Sequence, residues 1–114
     1  MDWEVRYYRT PLGREPVAEF VDLLPESDTA KVFRTIGLLS HKGVLLKEPY
    51  TRRIAGKMRE LRISCDRREV RILYFPFARR TLLLLHAFIK KTNKTPRREI
   101  EIGVGRMNDA INNQ

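Results

Sequence analysis

Apolar and charged residues alternate along Trp3-Glu-Val-Arg-Tyr-Tyr8, the period-two pattern of a half-buried strand. The period then changes. Val17, Phe20, Val21 and Leu24 recur at i, i+3, i+4 and i+7, one apolar stripe of a helix that Pro16 can open and Pro25 stops. A second stripe of Val32, Phe33, Ile36 and Leu39 is expected to face inward, with Ser27 or Asp28 as its cap and Gly43 as its terminator. So short a link between the two predicts an antiparallel helical hairpin.

Residues 44–57, with Pro49, Arg52, Arg53 and Gly56, read as a basic loop. Three strands follow at about 58–64, 69–75 and 81–89, with links short enough for a hairpin meander. Polar residues 90–95 lead to Pro96, again at a helix start. Ile100, Val104, Met107 and Ile111 form the last stripe, weakened by Gly103 and Gly105. The order β-α-α-β-β-β-α is α+β: a helical hairpin and a C-terminal helix packed as a layer on one face of an antiparallel sheet, in a single domain over 1–114.

Charge changes this picture by dividing the chain. Residues 1–50 carry seven Lys/Arg against eight Asp/Glu, close to neutral, whereas residues 51–114 carry sixteen against six and hold the whole basic excess. A pI of about 10.2 with cations gathered in this way points to a polyanion site on a neutral scaffold. Nucleic acid is the leading partner, then acidic protein. No basic amphipathic helix supports a membrane. The single cysteine, Cys65, allows no intrachain disulfide and fits a reducing compartment. Neither an apolar signal core nor an apolar run of about 18 residues is present, so a soluble cytoplasmic protein is expected.

Strand alternation places the chemistry. Leu61 and Ile63 share one face of their strand, and Glu60, Arg62 and Ser64 the other. Val70, Ile72 and Tyr74 likewise alternate with Arg71, Leu73 and Phe75. Helices on the apolar sets leave Arg62 and Arg71 side by side on an open face. Cross-strand neighbours lie about 5 Å apart, so two guanidiniums there repel unless an anion sits between them. The structural alternative, pairing with Glu60 or Glu69, stays open. Leu82–Phe88 is apolar on both faces, hence central, and His86 within it is either a bonded core residue or a proton carrier. Lys90 and Lys91 leave the end of that strand, where a cation can reach a scissile phosphate. Lys94, Arg97 and Arg98 extend the patch across a helix start, where anions are favoured. Arg52, Arg53 and Lys57 add cations from the preceding loop.

Cys65, His41 and His86 lack zinc-ligand spacing, and there is no Gly-rich phosphate loop or supported Ser/His/Asp set. No metal or cofactor is expected. RNA can still be cut by its own 2′-OH, given cations for the phosphorane charge and a proton carrier.

Met58-Arg-Glu-Leu-Arg-Ile63, Val70-Arg-Ile-Leu-Tyr-Phe75 and the run from Leu84 through His86-Ala-Phe-Ile-Lys-Lys-Thr-Asn-Lys-Thr-Pro96 to Glu99 together resemble the RelE/ParE toxin superfamily. The phage-derived, HigB-like branch of type II toxin–antitoxin toxins is the most similar. The resemblance is specific over the sheet and last helix, and covers the first fifty residues only by element order. It implies a small α+β toxin that inhibits translation as a metal-independent mRNA endoribonuclease acting on the ribosome. Its partner would be an antitoxin of the helix-turn-helix type. By position, Arg71 matches the family arginine at the scissile phosphate, Arg62 a basic residue on the preceding strand, and Lys90 or Lys91 a cation after the last strand. Glu60 replaces a family lysine, and the late tyrosine or histidine of some members has no equivalent near Asn112-Asn-Gln114. Tyr74 fits the motif but falls on the core face. Glu60, Glu48 and His86 are the candidates for proton transfer. Two alternatives accompany this reading: a ParE-like inhibitor of DNA gyrase, and a non-catalytic RNA- or protein-binding relative.

Overall fold

The computed structural model describes residues 2–113; Met1 and Gln114 lie outside them. The alternating start forms β1 (Glu4–Tyr7) and the first stripe α1 (Pro16–Asp22), with Pro16 in its first turn. The second stripe forms α2 (Glu26–Lys42), followed by one 3-10 turn at Gly43–Leu45. Then come β2 (Thr51–Ala55), β3 (Met58–Ser64), β4 (Glu69–Ala78), β5 (Thr81–Lys90) and α3 (Arg97–Asn112). The five strands lie in the order β1-β5-β4-β3-β2, antiparallel except for β1, which runs parallel to β5.

The α+β class and the order of helices and meander stand as expected, with three corrections. Part of the 44–57 loop is a strand: β2 pairs with β3 through Thr51↔Leu61 and Arg52↔Glu60. Thr51 explains the missed signal, since its hydroxyl is buried against the Tyr74 hydroxyl at 2.8 Å and also accepts from Arg59 Nε at 3.1 Å. A polar residue here fills a core position because its partners come from other strands.

The helices also form two layers, one on each side of the sheet. Val17, Val21, Val32 and Leu39 of α1 and α2 pack on Leu61, Ile63, Val70, Ile72, Tyr74, Leu82 and Leu84. Ile100, Val104 and Met107 of α3 pack on the opposite face, against Met58, Leu73, Phe75, Leu83, Leu85 and Phe88. This accounts for a strand that is apolar on both sides. Gly103, a weak point by helix propensity, lets α3 approach the sheet closely: a Cβ there would stand 2.8 Å from Leu73 Cδ1 and 2.9 Å from Met58 Sδ.

The third correction concerns α2. Phe33 is 50% exposed instead of inward-facing, and the inward stripe is Val32, Ile36 and Leu39. Pro25, not Ser27 or Asp28, occupies the cap position. Asp28 is instead buried in an ion pair with Arg68 of the β3–β4 link. At the other end Gly43 takes φ 57° and ψ −132°, a glycine conformation, and the Trp3 indole lies where a side chain would be. Trp3 N–H donates to Ser40 O, and Ser40 Oγ to Trp3 O, both at 2.8 Å, fixing β1 to α2.

Candidate functional site

Strand β2 is too short to cover all of β3. Its pairing begins at Thr51↔Leu61, and just beyond it the Arg62 N–H donates to Tyr50 O at 2.8 Å. Beyond that point the end of β3 is free of β2, and α2 stands across from it. The result is an open groove of about 520 Å³ lined by Lys31, Arg34, Thr35, Pro49, Tyr50, Arg62, Ile63, Ser64, Glu69 and Arg71. Four cations share it with one carboxylate.

Arg62 and Arg71 are direct cross-strand partners, as the alternation predicted. Their environments differ sharply. Arg71 is 5% exposed, so the face is not open at its position, and its charge is compensated. Its Nη1 lies 3.2 Å from Glu69 Oε1 and donates to Val70 O at 3.0 Å. Its Nε lies 3.7 Å from Oε1 of Glu60, close enough for an ion pair but too far for a hydrogen bond. Neither of those two atoms has a hydrogen-bond partner among the described residues. The alternative in which Arg71 pairs with Glu60 and Glu69 is therefore what the structure holds. Arg62, half-buried, makes no ion pair within 4 Å among the described residues.

Glu60 is 0% exposed. A charge so placed needs partners, and the Thr95 hydroxyl donates to its Oε2 at 2.5 Å from just before α3. Lys90, opposite Glu69 in register, completes the cluster. Burial lowers its ammonium pKa, Glu60 opposes that, and the charges of Arg71, Arg62 and Arg52 lower it further. Arg52, Glu60, Arg62, Arg71 and Lys90 thus form one electrostatic unit across four strands, with cations in excess.

The other predicted residues divide around this unit. Arg52, Arg53 and Lys94 line a smaller hollow of about 300 Å³ beside Thr95, and Lys57 is exposed at the β2–β3 turn. His86 lies apart, lining a separate hollow with Lys91, Arg98 and Glu99. Its Nε2 is 2.7 Å from Glu99 Oε1, and Arg106 Nη1 is 3.3 Å from its Nδ1. An arginine has only protons to offer, so Nδ1 accepts and Nε2 carries the proton donated to Glu99. Burial, helped by Arg106, lowers the His86 pKa and keeps the ring neutral, although Glu99 opposes this. Both ring nitrogens are engaged in joining β5 to α3. Glu48 is exposed outside the groove lining, and Arg97 and Arg98 are exposed at the start of α3, in contact with Glu101 at 3.5 Å and Glu99 at 3.6 Å. Tyr74 is buried on the α1–α2 side, where desolvation raises its phenol pKa.

Lys31, Arg34 and Tyr50 are groove residues that sequence reasoning missed. Lys31 and Arg34 sit one turn apart on the polar side of α2, a spacing common to any solvated helix, and nothing local ties them to Arg62. Among the described residues, no group of three or more His, Cys, Asp and Glu could hold a metal, and no helix is long and apolar enough to cross a membrane.

Among curated proteins, none matches the chain. The sequence profile of one family does match, over residues 19–108, which run from within α1 through most of α3 and so include the whole groove and the charged cluster. The chain belongs to the phage-derived Gp49-like protein family (DUF891), a family that includes toxin–antitoxin toxins of the RelE and HigB type.

Proposed function

We propose that this protein is the toxin of a toxin–antitoxin pair, that it belongs with the HigB-like toxins, and that it cuts ribosome-bound mRNA without a metal. The observation that supports this most directly is Arg62, an unpaired guanidinium beside a compensated one at the wall of a four-cation groove. In a purely structural pair both charges would be neutralised. Here the excess charge faces the groove and attracts a phosphodiester.

In the reaction, the 2′-oxygen attacks the adjacent phosphorus, the P–O5′ bond breaks and a 2′,3′-cyclic phosphate remains. The 2′-OH gives its proton to solvent water, and one proton joins the departing 5′-oxygen. Arg62, with Arg71 behind it, stabilises charge on the non-bridging oxygens. Lys90, with its pKa lowered by burial and neighbouring cations, releases a proton readily and supplies it to the 5′-oxygen. Glu60 holds Arg71 and Lys90 in register. Lys31, Arg34, Arg52, Arg53 and Lys94 guide the strand on either side. The antitoxin, a helix-turn-helix protein in this reading, would silence the site by covering the groove.

Primer extension on a defined mRNA in a purified translation system tests this, with wild type beside Arg62→Ala and with ribosomes present or omitted. Cuts in ribosome-occupied codons are expected from wild type, and Arg62→Ala should reduce their rate about 10²–10³-fold. Intact mRNA from a toxic protein would move the reading to gyrase, and intact mRNA from a harmless one to a binding module.

A further inference from the structure

We infer that the Tyr50 ring is a nucleobase subsite, on which a base next to the phosphate held by Arg62 stacks. This rests on the RNA-cleaving reading above and extends it from the backbone to a base. Tyr50 is 46% exposed, although it is a large aromatic in a segment held on both sides. Its N–H donates to Lys47 O at 3.1 Å, and its carbonyl accepts the Arg62 N–H at 2.8 Å. The ring is thus presented by a fixed backbone immediately beside Arg62, a groove arginine with no ion pair among the described residues. That backbone hydrogen bond sets the two residues side by side where the β2–β3 pairing ends, and both line the same groove.

The position of the ring is equally specific. Tyr50 lines the cationic groove and also an adjoining hollow of about 330 Å³ formed with Leu38, Lys42, Leu45, Leu46, Lys47 and Glu48. A nucleotide has the same two-part chemistry: an anionic phosphate and a flat apolar base. Cations that follow a backbone, interleaved with an exposed aromatic, form a single-strand binding surface. No hydrogen bond of the Tyr50 hydroxyl to another described residue holds the ring for a structural purpose.

The test is a double-mutant cycle on binding. Fluorescence anisotropy at low salt is measured for short single-stranded RNAs, 2′-O-methylated against cleavage, with an abasic site scanned through each position. Tyr50→Ala should weaken binding of the intact RNA about 5- to 150-fold, the range for one stacked base. The same substitution should have almost no effect on RNA abasic at one particular position, and Tyr50→Phe should bind like wild type. A loss that is equal for intact and all abasic RNAs would overturn the subsite, as would wild-type affinity in Tyr50→Ala. The cleavage assay is scored separately. If wild type leaves mRNA intact but the cycle holds, the nuclease reading falls and the base subsite stands. If mRNA is cut and the cycle is flat, the reverse is true.

Discussion

The two faces of the sheet have opposite characters, and the number of helices on each is the reason. On the α1–α2 side, Leu61, Ile63, Val70, Ile72, Leu82 and Leu84 form an unbroken apolar surface across three strands. On the other side α3 lies alone. A helix with its side chains is about 10 Å wide and strands are about 4.8 Å apart, so one helix shields roughly two strands. Met58, Leu73, Phe75, Leu83, Leu85 and Phe88 occupy the shielded part. Glu60, Arg62, Ser64, Glu69, Arg71 and Lys90 occupy the remainder of that face, in unbroken register. A sheet covered twice on one side and once on the other has a built-in place for charge.

The largest expected effect comes from breaking the charged half from within. Arg71→Ala leaves Glu60 fully buried without its cation, and should cost about 3–5 kcal/mol in chemical denaturation. Leu61→Ala, directly across the sheet on the apolar face, should cost a similar 2–5 kcal/mol by leaving a cavity. Equal penalties would hide different causes, and a double variant separates them. Glu60→Leu with Arg71→Met removes both charges together, and should be neutral or stabilising by about 1–4 kcal/mol while abolishing cleavage. A double variant that is as unstable as Arg71→Ala would show that the pair is needed for the fold. Arg62→Ala sharpens the contrast further: its stability should stay within about 0.5 kcal/mol of wild type, since it has no ion partner among the described residues, while its cleavage falls.

The smallest effect belongs to the seam between the two regions. His86 has a folded pKa below its ordinary 6.5, so the unfolded chain takes up its proton first on acidification. The stability that depends on neutral His86 is complete above pH 6.5 and is lost as pH falls through the lowered folded value. Thermal unfolding between pH 7.5 and 5 should show that decline, and His86→Gln should flatten it. A wild-type curve without slope over this range would mean that Glu99 offsets the burial of the ring.

Several of these features were legible along the chain. The alternation in β3 and β4, joined by a short link, was enough to set Arg62 opposite Arg71, because a tight hairpin leaves little freedom of register. Tyr74 was correctly assigned to the core face for the same reason. Apolarity on both faces of β5 already required two covering layers, a requirement at odds with placing all the helices on one side. Strand β2 escaped because Thr51-Arg-Arg-Ile-Ala has basic-loop composition, and its one buried polar side chain is satisfied only by Tyr74 and Arg59 from neighbouring strands. Glu60 looked like the loss of a catalytic cation. Only the tertiary structure buries it, ion-paired with Arg71, hydrogen-bonded by Thr95 and electrostatically coupled to Lys90.

By itself, the sequence determined what periodicity and local linkage control: the helices, the meander, which residues of β3 and β4 share a face and the concentration of positive charge in one half. The tertiary structure decided on which side α3 packs, where β2 stops, and therefore which cations open onto a groove. The physical reason is range. Periodicity is set by neighbours two to four residues apart, whereas the convergence of Lys31, Arg34, Tyr50 and Arg62 on one groove exists only once a helix and a sheet edge distant in the chain are packed together.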